Sequence, residues 1–291
     1  MGESAIFLNG EIVSGDRAKV SVLDRGFLYG DGVFETMRTY GGKIFHLEDH
    51  LDRLFRSANL LQLGLPWTRS WLESSIKSTL AANAPGEDVL IRLTVSRGVG
   101  RDGLDPPKNA EPTIVIAVRP LPEIGEVAFK NGRKAAIVST RRNSIESLNP
   151  AAKTLNFLNN ILAKIEARKL SADEAIMLNG DGKVTEATVG NIFCVKNKLL
   201  STPPDADGIL PGVTRKIVAE LAAANDIRCE EKSLWPDDLL GADELFLTMT
   251  SVGIMPITAI DGLVVGTGEA GAITRKLHEL FIEHVLKAFS G

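Results

Sequence analysis

The spacing of apolar positions changes several times along the chain, and each change marks an element. Ala5 to Leu8 reads as a short strand, Asn9-Gly10 as a hairpin turn and Glu11 to Val13 as the return strand. Val33 to Tyr40 alternates as a strand, and Gly41-Gly42 turns it into Lys43 to Phe45. From His46 the period lengthens. Leu47, Leu51, Leu54 and Ala58 recur three or four apart, the stripe of an amphipathic helix, and Glu48 and Asp49 sit in its first turn where the helix dipole favours acids. A second helix is expected from Arg69 to about Asn83, followed by paired strands at Val89 to Ser96 and Thr113 to Val118. Later strands are expected at Lys134 to Thr140, Glu174 to Leu178, across the long stretch Lys183 to Val195, at Leu199 to Ser201, and on either side of Thr250-Ser251-Val252-Gly253. Helices are expected from about Thr214 to Asn225 and from Ala270 to Phe289. Within Asn149 to Arg168, Leu155, Leu158, Leu162 and Ile165 form one more apolar stripe, and Lys153 stands at the mouth of that helix.

Strands and helices thus mix throughout, as in α+β or α/β chains. Pro120, Pro122, Gly125 and Gly132 read as a connection, which divides the chain into a small domain (1–121), a linker (122–132) and a larger domain (133–291). A length of 291 residues suits that organisation, and no internal repeat or low-complexity stretch interrupts it.

Composition removes several classes. A net charge of −4 offers no basic footprint for nucleic acid. Cys194 and Cys229 are the only cysteines, so a reducing compartment is expected rather than a disulfide framework. No secretory leader pattern and no membrane-length apolar run is present, which makes the cytoplasm the expected setting. His46 and His50, four apart, could chelate a metal, but the intervening glutamate is out of place for H-E-x-x-H and no third ligand is evident; no metal is expected. Gly98, Gly100 and Gly103 match G-x-G-x-x-G after a strand, yet Asp105-Pro106-Pro107 follows and no helix can start in register to hold a dinucleotide. An active-site loop carrying Arg97 and Arg101 fits better. Gly26, Gly30 and Gly32 crowd Asp24 to Gly32 and indicate a bent loop where the backbone approaches something closely.

Four features of the second half share one explanation. Lys153 is a possible amine nucleophile. Glu186 stands in a strand context, where a carboxylate needs a cationic partner. Gly212-Val213-Thr214 opens a helix, whose free N–H groups can bind phosphate. Thr250-Ser251 adds hydroxyls on a tight turn. A phosphorylated pyridine aldehyde requires such a set: a lysine for the Schiff base, an acid for the ring nitrogen and a phosphate cup. Arg53, which shares another face of its helix with His46 and His50, is expected to bind an anion.

The chain resembles the fold-type IV pyridoxal-phosphate enzymes, the class IV aminotransferases, over essentially its whole length. The resemblance rests on D-R-G-F-L-Y-G-D-G-V-F-E from Asp24 to Glu35, H-L-E-D-H-L-D-R-L from His46, K-T-L-N from Lys153, E-A-T-V-G-N-I-F from Glu186, L-P-G-V-T-R from Leu210 and the turn at Thr250-Ser251. It implies a small N-terminal α+β domain and a larger barrel-like domain, with pyridoxal 5′-phosphate in the cleft between. It also implies a homodimer acting on small amino and 2-oxo acids. By the same resemblance Lys153 is catalytic, Glu186 pairs with the ring nitrogen, and Arg53, Val213, Thr214 and Thr250 hold the phosphate. Tyr29, Phe34, Arg38, Arg92, Arg101 and Ser251 would meet the substrate. Phe157 departs from the family, which often has a tyrosine there.

Arg38 and Arg92 stand where branched-chain enzymes carry arginines that can receive the distal carboxylate of glutamate or 2-oxoglutarate, though Leu90 replaces a frequent tyrosine. Arg101-Asp102-Gly103 lacks the histidine by which D-amino acid enzymes seize a carboxylate. The expectation is therefore transamination of branched-chain or similar hydrophobic L-amino acids with 2-oxoglutarate. D-amino acid transamination and aminodeoxychorismate lyase chemistry are the alternatives.

Overall fold

The structure is a computed structural model, and it describes residues 4–83, 86–100, 103–107, 111–121 and 126–289. The chain divides into two compact units. One comprises Met1–Pro122 with Ala152–Asn156, and the other Glu123–Ala151 with Phe157–Gly291.

The first unit contains β1 (Ala5–Leu8), β2 (Glu11–Ser14), α1 (Arg25–Tyr29), β3 (Gly32–Tyr40), β4 (Lys43–Ile44), α2 (Leu47–Leu60), α3 (Arg69–Asn83), β5 (Val89–Ser96) and β6 (Thr113–Pro120). Its strands form one sheet in the order β2-β1-β6-β5-β3-β4. Period-two burial decides which face is covered: Val89, Ile91, Leu93 and Val95 of β5 are buried while Leu90, Arg92 and Thr94 are partly open. Leu51, Leu54 and Ala58 of α2 and Leu72 and Ile76 of α3 pack on the covered face with Val33, Met37, Ile114 and Ile116. Each of these side chains larger than alanine contributes about 1.5–3 kcal/mol of transfer free energy.

The second unit contains α4 (Glu126–Asn131), β7 (Arg133–Ile137), α5 (Leu158–Lys169), β8 (Glu174–Leu178), β9 (Val184–Ala187), β10 (Asn191–Lys196), β11 (Leu199–Thr202), α6 (Val213–Ala224), β12 (Cys229–Glu231), α7 (Pro236–Leu240), β13 (Glu244–Met249), β14 (Gly253–Ile260), β15 (Leu263–Val264) and α8 (Ala272–Phe289). The strand path β10-β13-β14-β7-β8-β9 returns to β10 through the pair Asn191 and Glu186, so these strands close into a barrel. Closure leaves these six strands without a free edge. Its core includes Ile176, Val184, Ile192, Leu247 and Met255.

Several expectations change in detail. The region from Lys183 to Val195 is two strands, β9 and β10, separated by Thr188-Val189-Gly190. A Cβ on Gly190 would lie 2.7 Å from the Thr248 carbonyl oxygen, so the connection turns against β13 where a side chain would not fit. The segment expected as a linker carries α4 within it, and residues 152–156 cluster with the first unit. The helix after Lys153 begins only at Leu158 and turns Asn160, Ala163 and Ala167 inward. Leu158, Leu162 and Ile165, whose spacing marked the helix, are exposed by 64, 50 and 46 %.

Candidate active site

Lys153 lies on an extended segment rather than on a helix. Its N–H donates to Ser57 Oγ of α2 at 3.0 Å, and its carbonyl accepts from Phe34 N at 3.0 Å. Thr154 makes an isolated antiparallel bridge with Val33, and Leu155 N donates to Gly32 O at 2.9 Å. The approach needs glycine at Gly32, where a Cβ would fall 2.7 Å from Leu155 Cδ1 and 2.4 Å from Val95 O. Gly30, at φ +67°, accepts a hydrogen bond from Asn156 Nδ2 at 2.9 Å. The bent loop expected here contains the short helix α1, capped by Asp24 Oδ1, which accepts from Gly26 N at 2.7 Å.

The Lys153 Nζ stands 4.4 Å above the centre of the Phe34 ring, and the Arg92 guanidinium carbon stands 3.9 Å from the same centre. Strand register explains the grouping: Phe34 pairs with Thr94, and Thr36 with Arg92, on adjacent β3 and β5. Burial and the neighbouring Arg119 charge push Arg92 below its ordinary value. Arg38 stacks over Tyr40 at 4.1 Å. Tyr29 ends α1, and its hydroxyl accepts from Gly103 N at 3.4 Å. Arg101 lies outside the described residues.

Arg53 faces Glu35 across α2 and β3. Its Nε donates to Oε1 at 2.7 Å and its Nη2 to Oε2 at 2.8 Å. The His50 ring nitrogen Nδ1 lies 2.9 Å from the same Oε2. His46 is paired elsewhere, with Asp49 at 2.6 Å, and among the described residues no cluster of metal ligands forms.

In the second unit the Glu186 carboxylate sits at the seam of the barrel. Arg142 Nε donates to Oε1 at 2.8 Å, while Leu210 N and Asn191 Nδ2 donate to Oε2 at 3.0 and 3.4 Å. Leu210 is three residues ahead of α6. Gly212 caps that helix without a side-chain bond, so the N–H groups of Val213 and Thr214 open the first turn with no local acceptor from the cap residue. A side chain at Gly212 would meet Asn191 Oδ1 at 2.0 Å. Thr250 and Ser251 form the turn between β13 and β14.

Sequence patterns did not single out Arg142; they gave Glu35 and Asn191 no role of their own within the family motifs, and they offered His50 only as a metal candidate. Arg142 gives no spacing signal. Glu35 does carry one, as a carboxylate between Val33 and Met37 on an otherwise apolar strand face.

Two units of this topology, an anchored lysine in one and an Arg-paired carboxylate beside a helix start in the other, define a class. The chain belongs to the class IV aminotransferases: that family's model matches residues 32–260. It is 47 % identical over 277 residues to a putative branched-chain-amino-acid aminotransferase of Methanocaldococcus jannaschii, covering 95 % of this chain and 94 % of the relative. A D-alanine aminotransferase of Listeria monocytogenes is 34 % identical over 291 residues, covering 97 and 96 %. The structure of a branched-chain aminotransferase from Thermoproteus uzoniensis with norvaline superposes with a TM-score of 0.92 at 38 % identity, covering 99 % of this chain and 97 % of that one. The fold is therefore fold type IV, the chain is an aminotransferase, and its cofactor is pyridoxal phosphate. The donor set fits that group: an amine, a carboxylate kept beside a guanidinium, a buried arginine and an uncapped helix start. No helix among the described residues is long and apolar enough to cross a membrane.

Proposed function

We propose that the protein transfers the amino group of branched-chain or similar hydrophobic L-amino acids to 2-oxoglutarate. The observation that carries this reading is the Phe34 ring with the Lys153 amine on it at 4.4 Å and the Arg92 guanidinium at 3.9 Å. An aromatic surface suits an aliphatic side chain, and the cation stacked over it suits the distal carboxylate of the acceptor. The branched-chain names of the Methanocaldococcus relative and the Thermoproteus structure point the same way.

Pyridoxal phosphate supplies an aldehyde for the amino group and an electron-withdrawing ring. Lys153 would hold the cofactor through its Nζ, and the freed amine would act as the base that takes the substrate Cα proton and as the acid that gives that proton up again. Glu186 accepts a hydrogen bond from the ring nitrogen, and Arg142 keeps that carboxylate in place. Arg53, the N–H groups of Val213 and Thr214 and the Thr250 hydroxyl hold the phosphate, with the positive end of the α6 dipole favouring the dianion. Arg38 and Arg92 receive the acceptor's distal carboxylate, and Tyr29, Phe34, Arg101 and Ser251 line the substrate pocket. We assign the protein to the cytoplasm as a homodimer, and the open apolar stripe of α5 suits burial against a second copy.

The D-alanine aminotransferase relatives favour one second reading, D-amino acid transamination. Half-reactions separate the two. Holoenzyme mixed with L-leucine, L-glutamate or D-alanine alone should lose its visible absorption band with the two L-amino acids and keep it with D-alanine. Bleaching by D-alanine but not by L-leucine refutes the proposal. Full turnover by Lys153→Ala refutes the assigned base.

A further inference from the structure

Glu35 is a carboxylate where strand alternation calls for hydrocarbon. Val33 and Met37, two residues to either side on β3, are fully buried against Leu51 and Leu54 of α2, and Glu35 is sealed as completely at 0 % exposure. Burying such a group unpaired is costly. His50 and Arg53, three apart on α2 and therefore on one face, supply its partners, and both are almost wholly buried. Burial alone would raise the Glu35 pKa, but the charge and hydrogen bonds of Arg53, with those of His50, outweigh it and hold the carboxyl well below the usual range. Burial pushes His50 down, against the pull of its Glu35 hydrogen bond, so at neutral pH the ring is uncharged. In that state the Nδ1–H tautomer is the one that donates to Glu35.

This cluster does more than neutralise charge. Glu35 takes the Nε–Nη2 edge of the guanidinium at 2.7 and 2.8 Å, so an anion bound by the same group must meet the Nη1–Nη2 edge. A planar fork gripped along one edge has its other edge fixed in direction. Ser57, one turn further along α2, holds the Lys153 N–H at 3.0 Å, and the Lys153 charge is felt at His50. One helix face therefore sets both the guanidinium plane and the position of the lysine.

We propose that Glu35 and His50 are positioning residues that lock the Arg53 guanidinium in the orientation that receives the cofactor phosphate. The proposal rests on the reading of Arg53 as a phosphate ligand given above. Neither residue touches the cofactor. They act through Arg53, and their effect must therefore follow the phosphate.

The test compares the binding of pyridoxal phosphate with that of pyridoxal, which has the same aldehyde and ring but no phosphate, to full-length apoenzyme by equilibrium titration. Glu35→Gln should weaken pyridoxal phosphate about 10–100-fold, the scale of loss when the hydrogen-bond partner behind a metal ligand is removed, and leave pyridoxal within about twofold. Arg53→Leu should narrow the preference for the phosphorylated form at least as much, and adding Glu35→Gln to it should narrow it no further. His50→Leu should act in the same direction as Glu35→Gln, and His50→Asn, whose amide can replace Nδ1–H, should recover most of the preference. If Glu35→Gln does not fold, the two His50 variants decide the question alone. An unchanged preference in Glu35→Gln and His50→Leu, or equal weakening of both ligands, overturns the positioning role. A wild-type preference that survives Arg53→Leu instead overturns the reading of Arg53 itself, and the proposal with it.

Discussion

Removing Arg142 should destabilise the second unit through Glu186, and the effect is open to a double-mutant cycle. The Arg142 and Glu186 side chains are 9 and 6 % exposed, so solvent screens their pairing little. In Arg142→Leu the carboxylate keeps only the Leu210 N–H at 3.0 Å and the Asn191 amide at 3.4 Å. Breaking one side of a buried ion pair costs about 3–5 kcal/mol, because the other charge stays buried without its counter-ion. Loss of the 3.2 Å bond from Arg142 Nη1 to Asn159 Oδ1 adds about 1 kcal/mol. Glu186→Gln keeps the shape and drops the charge, at about 1–3 kcal/mol. The double variant Arg142→Leu/Glu186→Gln buries no charge at this point, so its cost should fall short of the sum by about 2–3 kcal/mol. Denaturant midpoints of the four apoproteins, with unchanged m values, measure the coupling. Turnover should behave differently: the double variant regains stability but not activity, since on the proposed role of Glu186 the ring nitrogen would meet an amide. A coupling below about 0.5 kcal/mol, or recovery of turnover along with stability, would refute the reasoning.

Three further outcomes test other parts of the structure. Gly212→Ala puts a Cβ 2.0 Å from Asn191 Oδ1, and Asn191 cannot swing aside without losing its 2.8 Å bond to Leu210 O. It should cost about 1–2 kcal/mol, seen as a melting temperature lower by about 2–4 °C per kcal/mol. Gly180→Ala, which meets nothing within 4 Å, should melt as wild type does, and equal melting of the two variants would contradict the packing described. For pH, His50 has a folded-state pKa below its ordinary 6.5, so its neutral form is the one that folding favours. Its contribution is complete above about pH 6.5 and is lost on acidification, with a slope of at most about 1.4 kcal/mol per pH unit. Glu35, depressed from 4.5, adds loss in the same direction at lower pH. Melting curves of wild type should therefore fall more steeply than those of His50→Leu between pH 6.5 and 5; parallel curves would exclude His50 as the source. Finally, Leu162→Glu changes a side chain that is 50 % exposed, so the helix should survive. Sedimentation should then show a weakened dimer, and an unaltered association would remove α5 from the interface.

Periodicity located most elements because each one buries one face, and burial is written in the spacing of apolar residues. That is why α2, α3, β5 and β14 fall close to where the pattern puts them. The same signal cannot name what covers a face. In α5 the inward residues are Asn160, Ala163 and Ala167, and the leucine and isoleucine stripe points out. Lys153 stood out in the sequence as a candidate amine, but its setting did not. Ser57 and Phe34, which hold its backbone, are remote in sequence, and no local pattern encodes such a contact. Arg142 was invisible for the same reason: its partner Glu186 lies 44 residues away.

Glu35 and Glu186 show where sequence misfit is informative. Each is a carboxylate on a buried strand, each is gripped by an arginine from outside that strand, and each arginine–glutamate pair includes one residue assigned to the cofactor. The proposed assignments are reversed between the units: in the first the arginine would face the ligand and the glutamate steadies it, while in the second the glutamate would face the ligand and the arginine steadies it. Hydrocarbon pairs of equal volume often serve stability at least as well as a buried ion pair. Retaining buried charge at both places therefore makes sense as orientation of the one group that acts. The variants above separate that role from stability, because an orienting partner changes cofactor preference or turnover in ways that restored packing does not repair.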